Sequence, residues 1–234
     1  MKNLLFIFIA LIGANFNSTA QKVLSEGYVK MEITEVTSDN PQMAQGLEMM
    51  IGTQTELFFN KEKSVNKMSM MGGMVENNTY VDFNTDKINI LMNAMGNKMW
   101  IETNKDESSS EEQKKIQENI KVEYDKADTK EILGYNCFAM KITSPDMKDM
   151  VVTGYITDKI KTDAQVIQGY GDVAMEGFPL EFTVKNDMMT LTISSVEIKD
   201  TVDPKEFNMN TEGYTKMTME EFQKTMGGMG GLGF

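Results

Sequence analysis

The sequence predicts a mainly β protein, in which a curved antiparallel sheet or incomplete β-barrel carries two or three covering helices. Apolar and polar residues alternate with a period of two through most of the chain, which is typical of strands with one buried face. Short polar turns separate these runs, which favours antiparallel neighbours. Only three stretches carry helical signals. We therefore expect roughly nine to eleven strands around one core.

The N-terminus has the features of a secretory signal. Lys2 gives a short basic start, an apolar run follows from Leu4 to Ile12, and small residues precede a predicted cleavage site after Ala20. The single cysteine, Cys137, lies far from that site, so no lipid-anchor motif is present. No later stretch approaches the ~18 apolar residues of a membrane helix. We predict a signal peptide over residues 1–20 and a soluble periplasmic or extracellular protein without an integral membrane segment.

Charge excludes nucleic acid as a partner. The chain of 234 residues has 23 basic residues, all of them lysine, against 35 acidic ones, which gives a net charge of −12. Nucleic-acid binding depends on basic side chains that displace phosphate counterions, and this balance has the opposite sign.

The first half of the mature chain reads as consecutive strands. In "EGYVKMEITEV" the residues Val29, Met31 and Ile33 share a face, and in "TQTELFFNKEK" Leu57 and Phe59 do so. The stretch "NNTYVDFNTDKINILMN" predicts a hairpin with strands at 79–83 and 88–92. A further short strand follows in "KMWIET".

The second half repeats the pattern. Four runs predict strands: "YNCFAMKIT", "VVTGYIT", "GFPLEFTV" and "MMTLTISSVEI". In the first, third and fourth of these runs the alternating apolar positions predict a shared face. The residues, in that order of runs, are Phe138, Met140 and Ile142; Phe178, Leu180, Phe182 and Val184; and Met189, Leu191 and Ile193.

Three stretches predict helices or crossovers: 41–52, 107–120 and 217–228. The second and third begin with capping boxes, Ser109 with Glu112 and Thr218 with Glu221. We predict one domain over residues 21–222, followed by a flexible Met/Gly-rich tail over 223–234.

Catalytic chemistry has little support. The absence of histidine removes Ser-His-Asp triads, histidine acid–base pairs and histidine-ligated metal sites. Cys137 lies in a strand-like run, where a small buried hydrophobe is the expected role. We predict a protein that is not an enzyme and needs no cofactor.

The chain contains 23 methionines, and four of them (Met68, Met70, Met71 and Met74) fall within "MSMMGGM". Three interpretations remain open: ordinary packing, the lining of an apolar pocket, and a thioether site for Cu(I). Methionines also occupy many strand positions, which favours the first two. Gly72-Gly73 fits a hairpin turn between two strands.

Several motifs occur in an order that resembles a secreted family of Bacteroidota labelled domain of unknown function 4412. They are Gly-Tyr-x-Cys at 134–137, "GFP" at 177–179 and "F-x-x-x-x-x-GY-x-x-M" at 207–217. That family is similar in architecture to the periplasmic carriers LolA and LolB, which are incomplete barrels with helices over a greasy concave face. The resemblance implies a LolA-like half-barrel that binds an acyl chain or another hydrophobic ligand. The carriers use a basic residue, usually arginine, in the cavity, and this chain has none.

We therefore predict non-catalytic periplasmic binding of a hydrophobic small molecule or lipid in the concave face of a half-barrel. The alternatives are Cu(I) binding through the four clustered methionines and an interaction or structural role in the envelope. The residues predicted to line the ligand site are Phe58, Met92, Phe138, Met140, Ile142, Phe178, Leu180, Phe182, Leu191 and Ile193.

Overall fold

A computed structural model describes residues 21–108, 111–147, 150–167 and 173–228. The predicted signal peptide lies outside the described residues. The strands are β1 (Gly27–Thr37), β2 (Gln54–Phe59), β3 (Lys63–Met70), β4 (Val75–Asp82), β5 (Lys87–Ala94), β6 (Asn97–Asn104), β7 (Lys121–Ile132), β8 (Tyr135–Thr143), β9 (Val151–Thr157), β10 (Phe178–Lys185), β11 (Thr190–Lys199) and β12 (Thr215–Met217). The helices are α1 (Pro41–Glu48), α2 (Lys105–Ser108), α3 (Glu111–Glu118) and α4 (Met219–Gly228).

All twelve described strands belong to one sheet in the order β12-β6-β5-β4-β3-β2-β1-β11-β10-β9-β8-β7. Every strand pair is antiparallel except the short parallel pair of β12 with β6. The sheet is open, because β12 and β7 form its two ends. The predicted mainly β, antiparallel class is confirmed, with one strand more than expected.

Two meanders make up this sheet, and a single pairing joins them. Strands β1 to β6 follow one another as neighbours, and so do β7 to β11. The pairing of β1 with β11 connects the two groups, and it places Tyr28 opposite Lys199.

Strand β1 shows how the alternating pattern produces burial. Val29, Met31 and Ile33 are buried, as predicted. The register between β1 and β11 shifts between Ile33 and Glu35. This irregularity inserts one residue and moves Val36, one position out of phase with a strict alternation, onto the buried side.

The predicted hairpin at "MSMMGGM" is confirmed. Met70 pairs with Val75, and residues 71–74 connect β3 to β4. Met71, Gly72 and Gly73 have φ values of 52°, 67° and 89°. Glycine adopts this left-handed conformation at no steric cost, which explains the Gly-Gly pair at the tip.

Helix starts follow the capping chemistry of the sequence. The Asn40 side chain accepts hydrogen bonds from the backbone of Gln42 and Met43 and so begins α1. The predicted capping box of α4 is present, because Thr218 Oγ1 accepts from Glu221 N and Glu221 Oε2 accepts from Thr218 N. Ser109 of the other capping box lies outside the described residues. Helix α4 runs through residues 223–228, and the rest of the predicted tail, 229–234, is not described.

One face of the sheet, here called the apolar face, carries Val29, Met31 and Leu57. The main core cluster forms on β1, β2 and β7–β11, with Val152, Ile156 and Ile142 fully buried. Ile116 and Ile120, which belong to and follow α3, pack against it, as do Val166 and Met175 from the β9–β10 connection. Glu176 N donates to Tyr124 Oη and so ties this connection to β7.

The opposite face is covered differently. Residues 200–214, here called the strap, leave β11 and contact β3 and β6 on that opposite face before β12 pairs with β6. Glu206 of the strap forms an ion pair with Lys67 of β3, and Lys98 of β6 lies 5.5 Å from the ring centroid of Tyr214. The two meanders are therefore covered on opposite faces.

Gly154 lies where β9 and β10 approach each other closely. A Cβ at this position would lie 2.3 Å from the backbone oxygen of Glu181 and 2.9 Å from Phe182 Cα. We expect Gly154→Ala to lower the free energy of unfolding by about 1–3 kcal/mol, since backbone must move to admit the methyl group. Urea unfolding measures the change.

Gly46→Ala in α1 is the matched control. A Cβ there meets no atom within 4 Å, so alanine should raise stability by about 0.5–1 kcal/mol through helix propensity. Equal stability of the Gly154→Ala variant and the parent protein would contradict the close approach of β9 to β10.

Candidate functional site

The apolar face of β3–β6 carries no charged side chain, and we call it the uncharged face. The register aligns sixteen positions of these four strands on this side. They are Ser64, Asn66, Met68 and Met70 of β3; Val75, Asn77, Thr79 and Val81 of β4; Ile88, Ile90, Met92 and Ala94 of β5; and Asn97, Met99, Ile101 and Thr103 of β6. The sixteen positions on the other side include seven charged ones: Lys63, Lys67, Glu76, Asp82, Lys87, Lys98 and Glu102. Charge is thus confined to the side that faces the strap.

Burial differs across the uncharged face. Met92, Met99 and Ile101, towards β6, are almost fully buried, and α4 and α2 lie beside that strand. In contrast, Ile88, Ile90, Met68 and Met70 are only half-buried, whereas Ser64 and Val75 on the same face are buried. None of the sixteen residues belongs to the main core cluster or to the side chains packed against it. The uncharged face is therefore apolar surface that the main core does not use.

One polar atom on this face has no partner within the described structure. The side-chain oxygen Oδ1 of Asn66 is buried and accepts no hydrogen bond there. Asn66 lies between Leu57 of β2 and Thr79 of β4 in the register. A buried carbonyl oxygen without a donor is costly, so this position is suited to a donor group brought by a ligand.

Most of the predicted ligand residues lie in the other meander. Phe138, Met140, Ile142, Phe182 and Ile193 share the apolar face, and all five belong to the main core cluster or pack against it. Leu191 lies on the same side, opposite Val36 of β1 and half-buried. These side chains form a continuous packed layer with the covering connection.

The remaining four predicted residues separate. Phe178 and Leu180 are buried in the core cluster at a register shift between Pro179 and Glu181, where β10 loses its strict alternation. Phe58 lies on the strap side of β2, with its ring centroid 5.0 Å from that of Tyr28 and Lys67 Nζ above it. Met92 alone lies on the uncharged face. Sequence reasoning did not single out Ile88, Ile90 and Met99 there, although their alternation within the predicted strands was visible.

The four clustered methionines fall on two elements. Met68 and Met70 lie on the uncharged face, whereas Met71 and Met74 lie in the hairpin connection and are 45% and 50% exposed. Within the described residues, no group of three or more His, Cys, Asp or Glu side chains is arranged to hold a metal ion.

Cys137 behaves as a packed hydrophobe. It is 1% exposed, and Sγ lies 3.5 Å from the Tyr135 carbonyl oxygen. Burial raises the pKa of the thiol to about 11, so the thiolate needed for nucleophilic attack is scarce at neutral pH.

Two surface depressions lie at the margins of strands β2 to β6. One, of about 250 Å³, is lined by Met49, Ile51 and Met71 among others. The second, of about 450 Å³, lies between β6, β12 and α4, and its lining includes Glu102, Lys216 and Thr103. Of the predicted ligand and metal residues, only Met71 lines either depression.

In the described part of the chain, no helix is both long and apolar enough to cross a membrane.

No family model matches the chain, and no curated protein matches it. Among solved structures, the chain is similar to the lipoprotein LppX of Mycobacterium tuberculosis, with 11% identity and a TM-score of 0.35 over 77% of this chain and 89% of that one. A protein of the domain of unknown function 1329 family from Desulfovibrio piger has 9% identity and a TM-score of 0.35, over 79% and 90%. LprF of Mycobacterium bovis has 10% identity and a TM-score of 0.31, over 77% and 88%. Similarity at this level carries no argument about function.

The raised pKa of Cys137 predicts a pH dependence of stability. The folded thiol holds its proton up to a pKa of about 11, whereas an unfolded thiol releases it near pH 8.5. The folded state therefore binds more protons in this window, and stability should fall as pH rises from about 8.5 towards 11. Urea unfolding of the parent protein and of Cys137→Ala across this range isolates the effect, because the variant lacks it. Parallel pH profiles would contradict the burial of the thiol.

Copper binding by the clustered methionines stays a prediction, and because they lie on two elements of different exposure we expect that they form no single copper site. We expect Met70→Leu/Met71→Leu/Met74→Leu to bind Cu(I) as the parent protein does, measured by competition with a Cu(I) chelator under reducing conditions. Tight Cu(I) binding by the parent protein that is lost in this triple variant would instead support the thioether site.

Proposed function

We propose that this protein binds a hydrophobic, uncharged ligand, such as an acyl chain or a neutral lipid, without catalysis, and that the ligand lies against the uncharged face of β3–β6. The observation that supports the proposal is the confinement of charge in these strands. In a chain of net charge −12, a four-strand surface with no charged residue and with half-buried methionine and isoleucine has an unusual composition.

The usual behaviour of antiparallel sheets strengthens this argument. Such a sheet normally packs one face on a core and leaves the other polar and solvated. Here the charged face of β3–β6 lies under the strap, and the uncharged face is outside the main core cluster. Covering the half-buried side chains with a ligand would remove apolar surface from water, which is the main source of affinity for hydrophobic ligands.

The chemistry of the face also favours particular ligands. It offers no lysine to a carboxylate or phosphate, while the unpaired Oδ1 of Asn66 would accept from a hydroxyl or amide group. The methionines supply an adaptable surface that can fit chains of different shape. A ligand that buries roughly 300 Å² of apolar surface gains about 7 kcal/mol before the cost of immobilisation, so micromolar affinity or weaker is expected.

The packed layer around Phe138, Met140, Ile142 and Phe182 has a supporting role in this proposal. It fixes one meander, and through β1 and β2 it holds the register of the next.

An envelope interaction role remains the alternative, and it predicts no bound lipid. Native mass spectrometry of protein purified from its own host distinguishes the two, since a retained neutral lipid supports ligand binding.

A paired substitution tests the location of the ligand. We expect Ile88→Gln/Ile90→Gln to weaken binding of the neutral fluorescent probe N-phenylnaphthylamine at least about fivefold, because two contact side chains become polar. Both residues are half-buried, so the fold should tolerate the change. In the parent protein a long-chain monoacylglycerol should displace the probe better than the ionised fatty acid of equal length.

Phe58→Gln is the control, since it removes a half-buried apolar side chain from the opposite face. Its probe affinity should match that of the parent protein. Equal loss in both variants, or a stronger effect of Phe58→Gln, would contradict a site on the uncharged face.

A further inference from the structure

Exposed apolar side chains gather at one end of the sheet. Nine large apolar residues are exposed in the described part of the chain, and six of them lie in connections at this end: Met49, Ile51, Met71, Met74, Met95 and Met188. We call these six residues the methionine rim. Their exposed fractions run from 45% to 71%. The other three, Val23, Leu133 and Val196, lie elsewhere in the chain.

The register places these connections together. Thr37 pairs with Thr190, Gln54 with Ser69, Met70 with Val75, and Ala94 with Asn97. The α1–β2, β3–β4, β5–β6 and β10–β11 connections therefore all leave the sheet at the same end. The β8–β9 connection also leaves at this end, beyond β10, and its Asp146 forms an ion pair with Lys115 of α3. Ser38 Oγ donates to the Met188 carbonyl at 2.6 Å, which joins the β10–β11 turn to the chain leading into α1.

The rim connections are nearly free of charge. Residues 38–53, 71–74, 95–96 and 186–189 together contain three charged side chains, Asp39, Glu48 and Asp187, and no lysine. One residue in four is charged in the chain as a whole, so about six would be expected by composition. Lys98 follows the β5–β6 turn, but it lies on the strap side against Tyr214.

From this surface we propose that the methionine rim docks onto a lipid layer with neutral or zwitterionic headgroups. The rim side chains sit on separate connections that project from the sheet, and each can enter the interfacial region of a lipid layer independently. Unbranched thioether side chains adapt to such a disordered apolar environment. A lipid layer with anionic headgroups is disfavoured, because no lysine lies on the rim connections and the chain is strongly acidic.

The rim also adjoins the uncharged face. Met70 and Val75 are the last paired positions of that face before the β3–β4 hairpin, and Ala94 is the last before Met95. Docking would therefore bring the open end of the uncharged face to the lipid surface. Lipid docking does not depend on ligand binding, and each can be measured without the other.

Vesicle flotation with the full chain tests the proposal. The parent protein should float with phosphatidylcholine vesicles and bind phosphatidylglycerol vesicles more weakly. Added salt should leave phosphatidylcholine binding unchanged and reduce the difference between the two lipids. Met71→Gln/Met74→Gln should lower the partition coefficient on phosphatidylcholine by about tenfold, since two inserting side chains become polar.

The matched control is Val23→Gln/Leu133→Gln, which removes two exposed apolar side chains away from the rim. It should bind vesicles as the parent protein does. Absence of parent binding to phosphatidylcholine, or equal loss in both double variants, would overturn the proposal. A dimer of the parent protein that becomes monomeric in the rim variant, measured by light scattering, would identify the rim as a protein interface and also overturn it.

A second readout separates lipid docking from ligand binding. Met71→Gln/Met74→Gln should keep the parent affinity for N-phenylnaphthylamine, and Ile88→Gln/Ile90→Gln should keep the parent affinity for phosphatidylcholine vesicles. Loss of both activities in either variant would show that rim and face are one site, which contradicts separate docking.

Discussion

The strand register of β1 to β6 is the constraint on which the candidate site depends. Side chains alternate between the two faces of a strand, so a shift of one residue in any pair would exchange its charged and uncharged positions. Three pairings in succession keep Met68, Asn77, Met92 and Met99 in one row, with Lys67, Asn78, Leu91 and Trp100 behind them. Tight connections such as Met71-Gly72-Gly73-Met74 hold that register. The site is therefore a property of paired strands and not of any one loop.

The strap explains how a meander outside the main core cluster can remain ordered. Its ion pair between Lys67 and Glu206, and the contact of Lys98 with Tyr214, fix it across the charged face. Each such contact contributes modestly at a partly exposed position. The β12 pairing with β6 then covers what would be a free strand edge. The charged face is covered by the chain itself, and this arrangement leaves the half-buried part of the uncharged face, around Met68, Ile88 and Ile90, available.

Much of the fold follows from the sequence, because alternation and turn chemistry are local properties. The buried sides of β1, β2 and β8 and the hairpin at Gly72-Gly73 could all be predicted. The order of the strands could not, since the pairing of β1 with β11 joins residues 28 and 199. The placement of Phe58 shows the limit most clearly. Its apolar side chain suggested a ligand contact, yet its neighbours Leu57 and Phe59 occupy the apolar face, so alternation directs Phe58 to the strap side. Which apolar face is packed and which is open depends on the paths of the strap and of the β9–β10 connection, and neither path has a local signal.

The β1–β11 pairing also has a consequence for the order of events during synthesis. The first meander can pair as soon as β6 has emerged, because all of its contacts are local, and local contacts form quickly. β1 is then an open edge strand that carries Val29 and Met31. Its second partner, β11, ends more than 90 residues after the end of β6. An apolar edge strand that waits in this way is a template for pairing with another chain. Between the emergence of β6 and that of β11, this edge of β1 is therefore open to pairing with another chain.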